Sequence, residues 1–171
     1  MLTLSLFRHA KSSWDNPDLQ DFDRPLNERG ETAAPQMGAF MAEHGIVPDL
    51  ILCSPAARAR QTLDLALPHL PSKPTVNYED ALYLTASETL LKRIRKLEAN
   101  VHHVMMVGHD PGLHRLATEL SGSGDPELLQ ALARKFPTAG LVVIQFKVTS
   151  WSKVRPGMGH LEVFMTPKRL E

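Results

Sequence analysis

Arg8 and His9 lie together just after the alternating run Leu2-Thr3-Leu4-Ser5-Leu6, with Phe7 between. That alternation has the period of a β-strand. A strand ending in Arg-His places a cation and an imidazole at the rim of a sheet. In open α/β sheets the carboxyl ends of the strands are where ligands bind. The planar fork of arginine matches a phosphoryl group through two parallel charge-assisted hydrogen bonds. An imidazole beside it suits a general base, a metal ligand or a nucleophile.

Two later stretches carry the same kind of residue in the same kind of place. Leu50-Ile51-Leu52-Cys53 is a short apolar run, the mark of a buried strand, and it leads into Ser54-Pro55. Ser54 is placed as an N-cap, with proline at the first helical position. The helix predicted over 56–67 carries Arg58 and Arg60 near its N-terminus, where backbone donors already favour an anion. Around the helical wheel Arg58 lies beside the apolar stripe. Arg60 shares a face with Asp64, which predicts a surface ion pair. The third stretch, His103-Val104-Met105-Met106-Val107, is a buried strand that runs into Gly108-His109-Asp110-Pro111-Gly112. If these strands are parallel neighbours, Arg8, His9, Arg58 and His109 converge on one rim as an anion site.

The segments between them supply the scaffold. Residues 11–23 form a polar loop, long enough to be functional. In it Lys11, Ser12 and Ser13 are either extra donors for an anion or a solvated turn, and Trp14 is a possible wall. Asn27 is placed as an N-cap, and Met37, Phe40 and Met41 have helical spacing. Pro35 predicts a kink, or a helix that begins near it. Residues 75–78 suggest a strand leading to Glu79-Asp80. Thr85 and Glu88 fit a capping box ahead of Leu90, Leu91, Ile94 and Leu97. Further helices are expected over 113–120 and after Asp125-Pro126. Residues 141–144 are β-prone, and 161–165 are expected as an edge strand in a hairpin with them. Strands alternating with helices, then a late hairpin, predict an α/β protein. Its mixed, mostly parallel sheet would form the middle of a three-layer α/β/α sandwich.

Bulk composition narrows the chemistry. A length of 171 residues suggests one domain. Lys plus Arg and Asp plus Glu each number 19, and this balance argues against nucleic acid or an acidic membrane as the partner. The single cysteine, Cys53, permits no internal disulfide and fits a reducing cytoplasm. The N-terminus lacks the features of a signal peptide, and no apolar run is long enough to span a membrane. No H-E-x-x-H, cysteine cluster or Walker A sequence is present. The site is therefore expected to need no metal and no cofactor.

Arg8-His9, the stretch Ser54 to Thr62 and Gly108-His109, in this order on successive strand ends, resemble the histidine phosphatase superfamily. Within it the chain is most similar to the small SixA-type phosphohistidine phosphatases. The resemblance covers nearly the whole chain, including Arg24-Pro25-Leu26 and Gly30, and implies a single domain over residues 1–171. It implies that His9 is the nucleophile that becomes transiently phosphorylated. Arg8, Arg58 and His109 would complete the phosphate pocket, with Arg24 and Lys11 adding to it. Ala10 departs from the pattern, standing where many relatives have glycine. Glu79 and Asp80 are candidates for a general acid, since relatives that cleave esters carry a glutamate in that connection. The activity implied is a metal-independent phosphatase acting on protein phosphohistidine. Alternatives are a phosphatase of small phosphate esters and a non-enzymatic phosphate-recognition module. The expected partner is thus a phosphorylated protein or a small phosphate compound, in the cytoplasm.

Overall fold

The computed structural model describes residues 1–171. Seven strands form one sheet: β1 (Leu2–Arg8), β2 (Leu50–Cys53), β3 (Thr75–Tyr78), β4 (His103–Gly108), β5 (Ser121–Gly124), β6 (Leu141–Phe146) and β7 (Gly159–Met165). Their spatial order is β3-β2-β4-β1-β6-β7-β5. The first four in that order are parallel to one another, and β6 pairs antiparallel with both β1 and β7. The helices are α1 (Glu28–Glu43), α2 (Ala57–Ala66), α3 (Ser87–Arg95), α4 (Gly112–Leu120), α5 (Pro126–Arg134) and the short α6 (Pro167–Leu170). The sheet is the middle of an α/β/α sandwich, as the alternation of elements predicts.

Two apolar cores follow from the alternation along the strands. Leu2, Leu4 and Leu6 of β1 join Val104 and Met106 of β4 beneath α3, α4 and α5. Phe7, Met105 and Val107 point the other way, with Met37, Met41 and Leu63 from α1 and α2. Both faces of the central strands are covered, so β2, β4 and β6 are almost continuously apolar, while β1 keeps Thr3 and Ser5 between its leucines. Truncating a fully buried leucine such as Leu4 would cost about 2–5 kcal/mol.

Several local expectations are corrected. Helix α1 starts at Glu28 and runs through Pro35 to Glu43. Asn27 caps it by accepting from the Gly30 amide, so the helix has its start signal one turn and more before the proline. Helix α2 begins at Ala57, with Ala56 and not Ser54 at the cap position and no side-chain cap; the Ser54 hydroxyl meets His109 and the Ala56 amide instead. Thr85 does not cap α3: its hydroxyl donates back to the carbonyls of Ala81 and Tyr83, and Ala86 takes the cap position without a side-chain bond. Strand β7 is not the edge. The Ser-Gly-Ser-Gly segment β5 pairs parallel outside it. That segment has no apolar residue, so only backbone pairing defines it and no hydrophobic period announces it.

Two close approaches fix the loops around the carboxyl end of the sheet. A side chain at Gly30 would stand 2.2 Å from the Lys11 carbonyl, so glycine lets the 11–27 segment lie directly on α1. A side chain at Gly112 would stand 2.1 Å from the Thr85 carbonyl, which seats the β3–α3 connection on α4 in the same way.

Candidate active site

Register brings the predicted residues together. Arg8 pairs with Gly108 across the parallel β1–β4 ladder, so the next residues, His9 and His109, leave adjacent strands side by side. Their ring centroids are 5.1 Å apart. Cys53 pairs with Val107 in the β2–β4 ladder, which sets Ser54 beside His109. The pocket so formed has a volume of about 240 Å³. Arg8, His9, Arg58 and His109 line it, together with Lys11, Ser12, Trp14, Arg24, Leu84, Asp110 and Thr138. Glu79 and Asp80 are not brought there. Glu79 forms a bidentate ion pair with Arg93, at 2.7 and 2.8 Å, and Asp80 opens a 3-10 turn.

His9 is 6% exposed. Its Nδ1 donates to the Ala10 carbonyl at 2.8 Å. A carbonyl can only accept, so Nδ1 carries the proton and Nε2 keeps its lone pair. Nε2 has no protein partner. Burial, and then the neighbouring His109, Arg58 and Arg8, push the His9 pKa down to about 3 against the smaller opposing effect of the Ala10 hydrogen bond. The imidazole is therefore neutral at physiological pH. Ala10 is itself fully buried, and its amide donates to Thr62 Oγ1 at 2.9 Å. The extra methyl group relative to glycine is thus accommodated.

His109 is 3% exposed, and burial, with Arg58 next, lowers its pKa to about 4. Its Nε2 lies 2.7 Å from Ser54 Oγ. Its Nδ1 and the Nε of Arg8 are buried without hydrogen-bond partners. Orphaned polar atoms are costly in a folded interior. Here both belong to residues that line one pocket.

Two arginines are held from behind by Asp21, a residue that sequence inspection passed over. Arg58, 4% exposed, donates through Nη1 to the Asp21 carbonyl at 2.7 Å and through Nη2 to Oδ2 at 3.0 Å. Arg24 donates to Oδ1 at 3.0 Å and to Ser12 Oγ at 2.6 Å, and its guanidinium stacks 3.2 Å over the Trp14 ring. The Tyr83 hydroxyl also donates to Oδ2. That hydrogen bond, with Arg58 adding to it, brings the Asp21 pKa to about 2. Asp21 and Tyr83 lie outside every motif, while Ser54 and Thr62 lie within one that does not reveal their partners. Their roles depend on long-range contacts, such as the 62 residues between Asp21 and Tyr83.

Arg60 departs from its expected pairing. It makes no ion pair with Asp64, and its guanidinium lies 4.0 Å above the Tyr78 ring. Tyr78 on edge strand β3 offers a face that competes with a solvated carboxylate, an exchange of small energies on both sides. Asp110 is the one carboxyl group lining the pocket. It lies 3.6 Å from Arg8 Nε, accepts from the His114 amide at 3.2 Å, and has its pKa raised by burial against the pull of Arg8.

Comparison with known proteins agrees with this geometry. The profile of the histidine phosphatase superfamily (branch 1) matches residues 4–83. The chain is 36% identical over 164 residues to the protein Rv1276c of Mycobacterium tuberculosis, covering 94% of this chain and 99% of the relative. The chain belongs to the histidine phosphatase superfamily. Within it the chain is SixA-like. The structure designated SixA from Agrobacterium tumefaciens superposes with a TM-score of 0.82 at 35% identity, covering 97% of this chain and 98% of that one. The one designated SixA from Nakamurella multipartitia gives 0.83 at 28% identity, covering 97% and 96%.

Proposed function

We propose that this protein is a metal-independent phosphatase that works through a phosphohistidine at His9 and acts on phosphohistidine carried by a protein. The observation that carries this reading is the state of His9: buried among cations, neutral, and tied at Nδ1 so that Nε2 is the free nucleophile. In the first step the Nε2–P bond forms as the bond from phosphorus to the substrate nitrogen breaks. Arg8, Arg58 and His109 face the charge on the phosphoryl oxygens, with Arg24 and Lys11 at the pocket wall. Water then cleaves phospho-His9, releasing phosphate and restoring the imidazole. The metal-independent reading rests on the donor set. No group of three or more His, Cys, Asp or Glu side chains is placed to hold a metal ion, while arginine and histidine supply positive charge and donors.

Two features support a protein-borne phosphohistidine. A volume of about 240 Å³ holds a phosphoryl group but falls below the roughly 300–1,000 Å³ of pockets that enclose whole small ligands. An imidazole leaving group also needs little help, since its ring nitrogen takes a proton from water or a weak acid as it departs. A serine alkoxide needs a positioned acid, which contributes about 10²–10⁴-fold. A second reading, hydrolysis of small phosphate esters, is favoured by one observation: Asp110 is a half-buried carboxyl at the pocket with a raised pKa.

The test is rapid quench with labelled substrate, followed by kcat/KM on a phosphohistidine peptide, a phosphoserine peptide and an aryl phosphate. The expected result is a label on His9, unaffected by chelator, and a preference for phosphohistidine and aryl phosphate over phosphoserine. Activity lost to chelator and restored by a divalent ion would overturn the metal-free chemistry. Efficient phosphoserine cleavage that collapses in Asp110→Asn would favour the ester reading.

A further inference from the structure

The two imidazoles of the pocket are held by partners of opposite character. His9 Nδ1 faces a carbonyl, which can only accept. His109 Nε2 faces the hydroxyl of Ser54, which can do either. What settles the direction is a third group. The backbone amide of Ala56 donates to the same Ser54 oxygen at 3.3 Å. Ser54 is fully buried, and His109 Nε2 is the one acceptor placed to take its hydroxyl proton. With the amide already pointing a proton at the oxygen, a second proton from Nε2 would leave the hydroxyl hydrogen with no acceptor. The arrangement that satisfies all three groups is Ala56 N–H to Ser54 Oγ, and Ser54 O–H to His109 Nε2.

We propose that Ser54 is a positioning residue that locks His109 in the tautomer protonated at Nδ1, making that N–H a donor to the phosphoryl group. The inference rests on the phosphatase reading of the pocket. It explains why Nδ1 of His109 is buried without a partner while Nε2 is satisfied. It also assigns the two histidines their different tasks. The carbonyl of Ala10 leaves His9 with a bare nitrogen, and the hydroxyl of Ser54 leaves His109 with a bare N–H. Cleared of its proton at the wrong nitrogen, each ring presents the face its role requires. The low pKa of His109 agrees, because only a neutral ring has a tautomer to choose.

The experiment is ¹⁵N imidazole NMR on the full chain at pH 7.5. In the wild type the His109 signals should be those of an Nδ1–H ring and the His9 signals also those of an Nδ1–H ring. Adding inorganic phosphate should shift the Nδ1–H signal of His109, and leave its Nε2 an acceptor. An Nε2–H signal for His109 in the wild type overturns the proposal, whatever the activity of the enzyme. Ser54→Ala, if folded, should populate the Nε2–H form and lower kcat/KM about tenfold, the fold-change that a hydrogen bond of ordinary strength represents. An unchanged tautomer in that variant also overturns it. Because the NMR signals are read without turnover, a wild type that shows the Nδ1–H tautomer but cleaves no phosphohistidine refutes the substrate assignment and leaves the tautomer lock standing.

Discussion

His9 and His109 sit on neighbouring strand ends and are 6% and 3% exposed, whereas Trp14 and Leu84, lining the same pocket, are 74% and 54% exposed. The floor is built on the sheet, and strand register places its two imidazoles: Arg8 against Gly108, Cys53 against Val107. The rim is built by the 11–27 segment and the β3–α3 connection, which meet through Asp21, Phe22 and Tyr83. The floor therefore holds chemistry that tolerates little displacement. The rim holds the arginines from behind and presents apolar surface outward. The contrast teaches where disturbance should be felt. Changes in the floor should alter turnover and stability together, and changes at the rim should act mainly through the residues it braces.

The largest expected effect is on stability, and it tests whether the floor is as dry as its burial says. His9 is held neutral down to about pH 3, and His109 down to about pH 4, against an ordinary value of 6.5. His103, at the opposite end of β4, is also lowered to about 4, chiefly by burial. Between these values and 6.5 the unfolded chain binds more protons than the fold does. Stability is thus fully present above about pH 6.5 and is lost as pH falls towards 4. Each histidine contributes up to about 1.4 kcal/mol per pH unit in that window. Denaturant midpoints should drop steeply from pH 7 to pH 5, and His9→Gln should flatten the slope. A midpoint constant over that range would mean the floor histidines are solvated.

The same division explains what was legible in the sequence. The fold class follows from apolar runs alternating with helical periods. Arg8-His9, Arg58 and His109 are visible because each directly follows a strand or opens a helix. Parallel pairing then brings them together with no further information. The rim is different. Asp21 looks like one of several loop aspartates, and only Arg24, Arg58 and Tyr83, arriving from three segments, single it out. Ser54 was visible as a cap but its partner was not, since the bond to His109 spans 55 residues. Trp151 sat in a segment of polar appearance, yet it is 1% exposed and donates to the Val101 carbonyl. Long-range hydrogen bonds leave no local period, and that is why these were missed.

The second effect compares two arginines on one helix. Arg58 reaches the floor and is 4% exposed, while Arg60 lies on the surface over Tyr78. Arg58→Ala removes charge-assisted bonds, a loss of about 1.5–3 kcal/mol, or roughly 10–150-fold in kcat/KM. Arg60→Ala removes an exposed cation–π contact of about 0.5–1 kcal/mol and should leave turnover within a few-fold. Steady-state kinetics on an aryl phosphate would compare them. Equal losses would mean that α2 presents both arginines to the substrate and that the boundary between floor and surface is misplaced.

The smallest effect should come from Glu79 and Asp80, and it sharpens the rim's outer limit. Their place after β3 makes them candidates for the acid that would protonate a leaving group. Glu79, however, gives both oxygens to Arg93. With both oxygens so engaged, Glu79 stands outside the pocket lining. Asp80 contributes to the turn ahead of Tyr83 and does not line the pocket. Glu79→Gln should lower stability by no more than about 1 kcal/mol, the value of a partly exposed ion pair. Neither Glu79→Gln nor Asp80→Asn should change kcat/KM on a phosphohistidine peptide by more than about twofold, since neither group is placed to supply the factor a positioned acid gives. Asp110→Asn is the informative companion, because that carboxyl lines the pocket and burial raises its pKa. If Glu79→Gln alone abolished cleavage of a phosphoserine peptide, the β3–α3 connection would have to swing inward during turnover. The rim would then be part of the catalytic machinery rather than its brace.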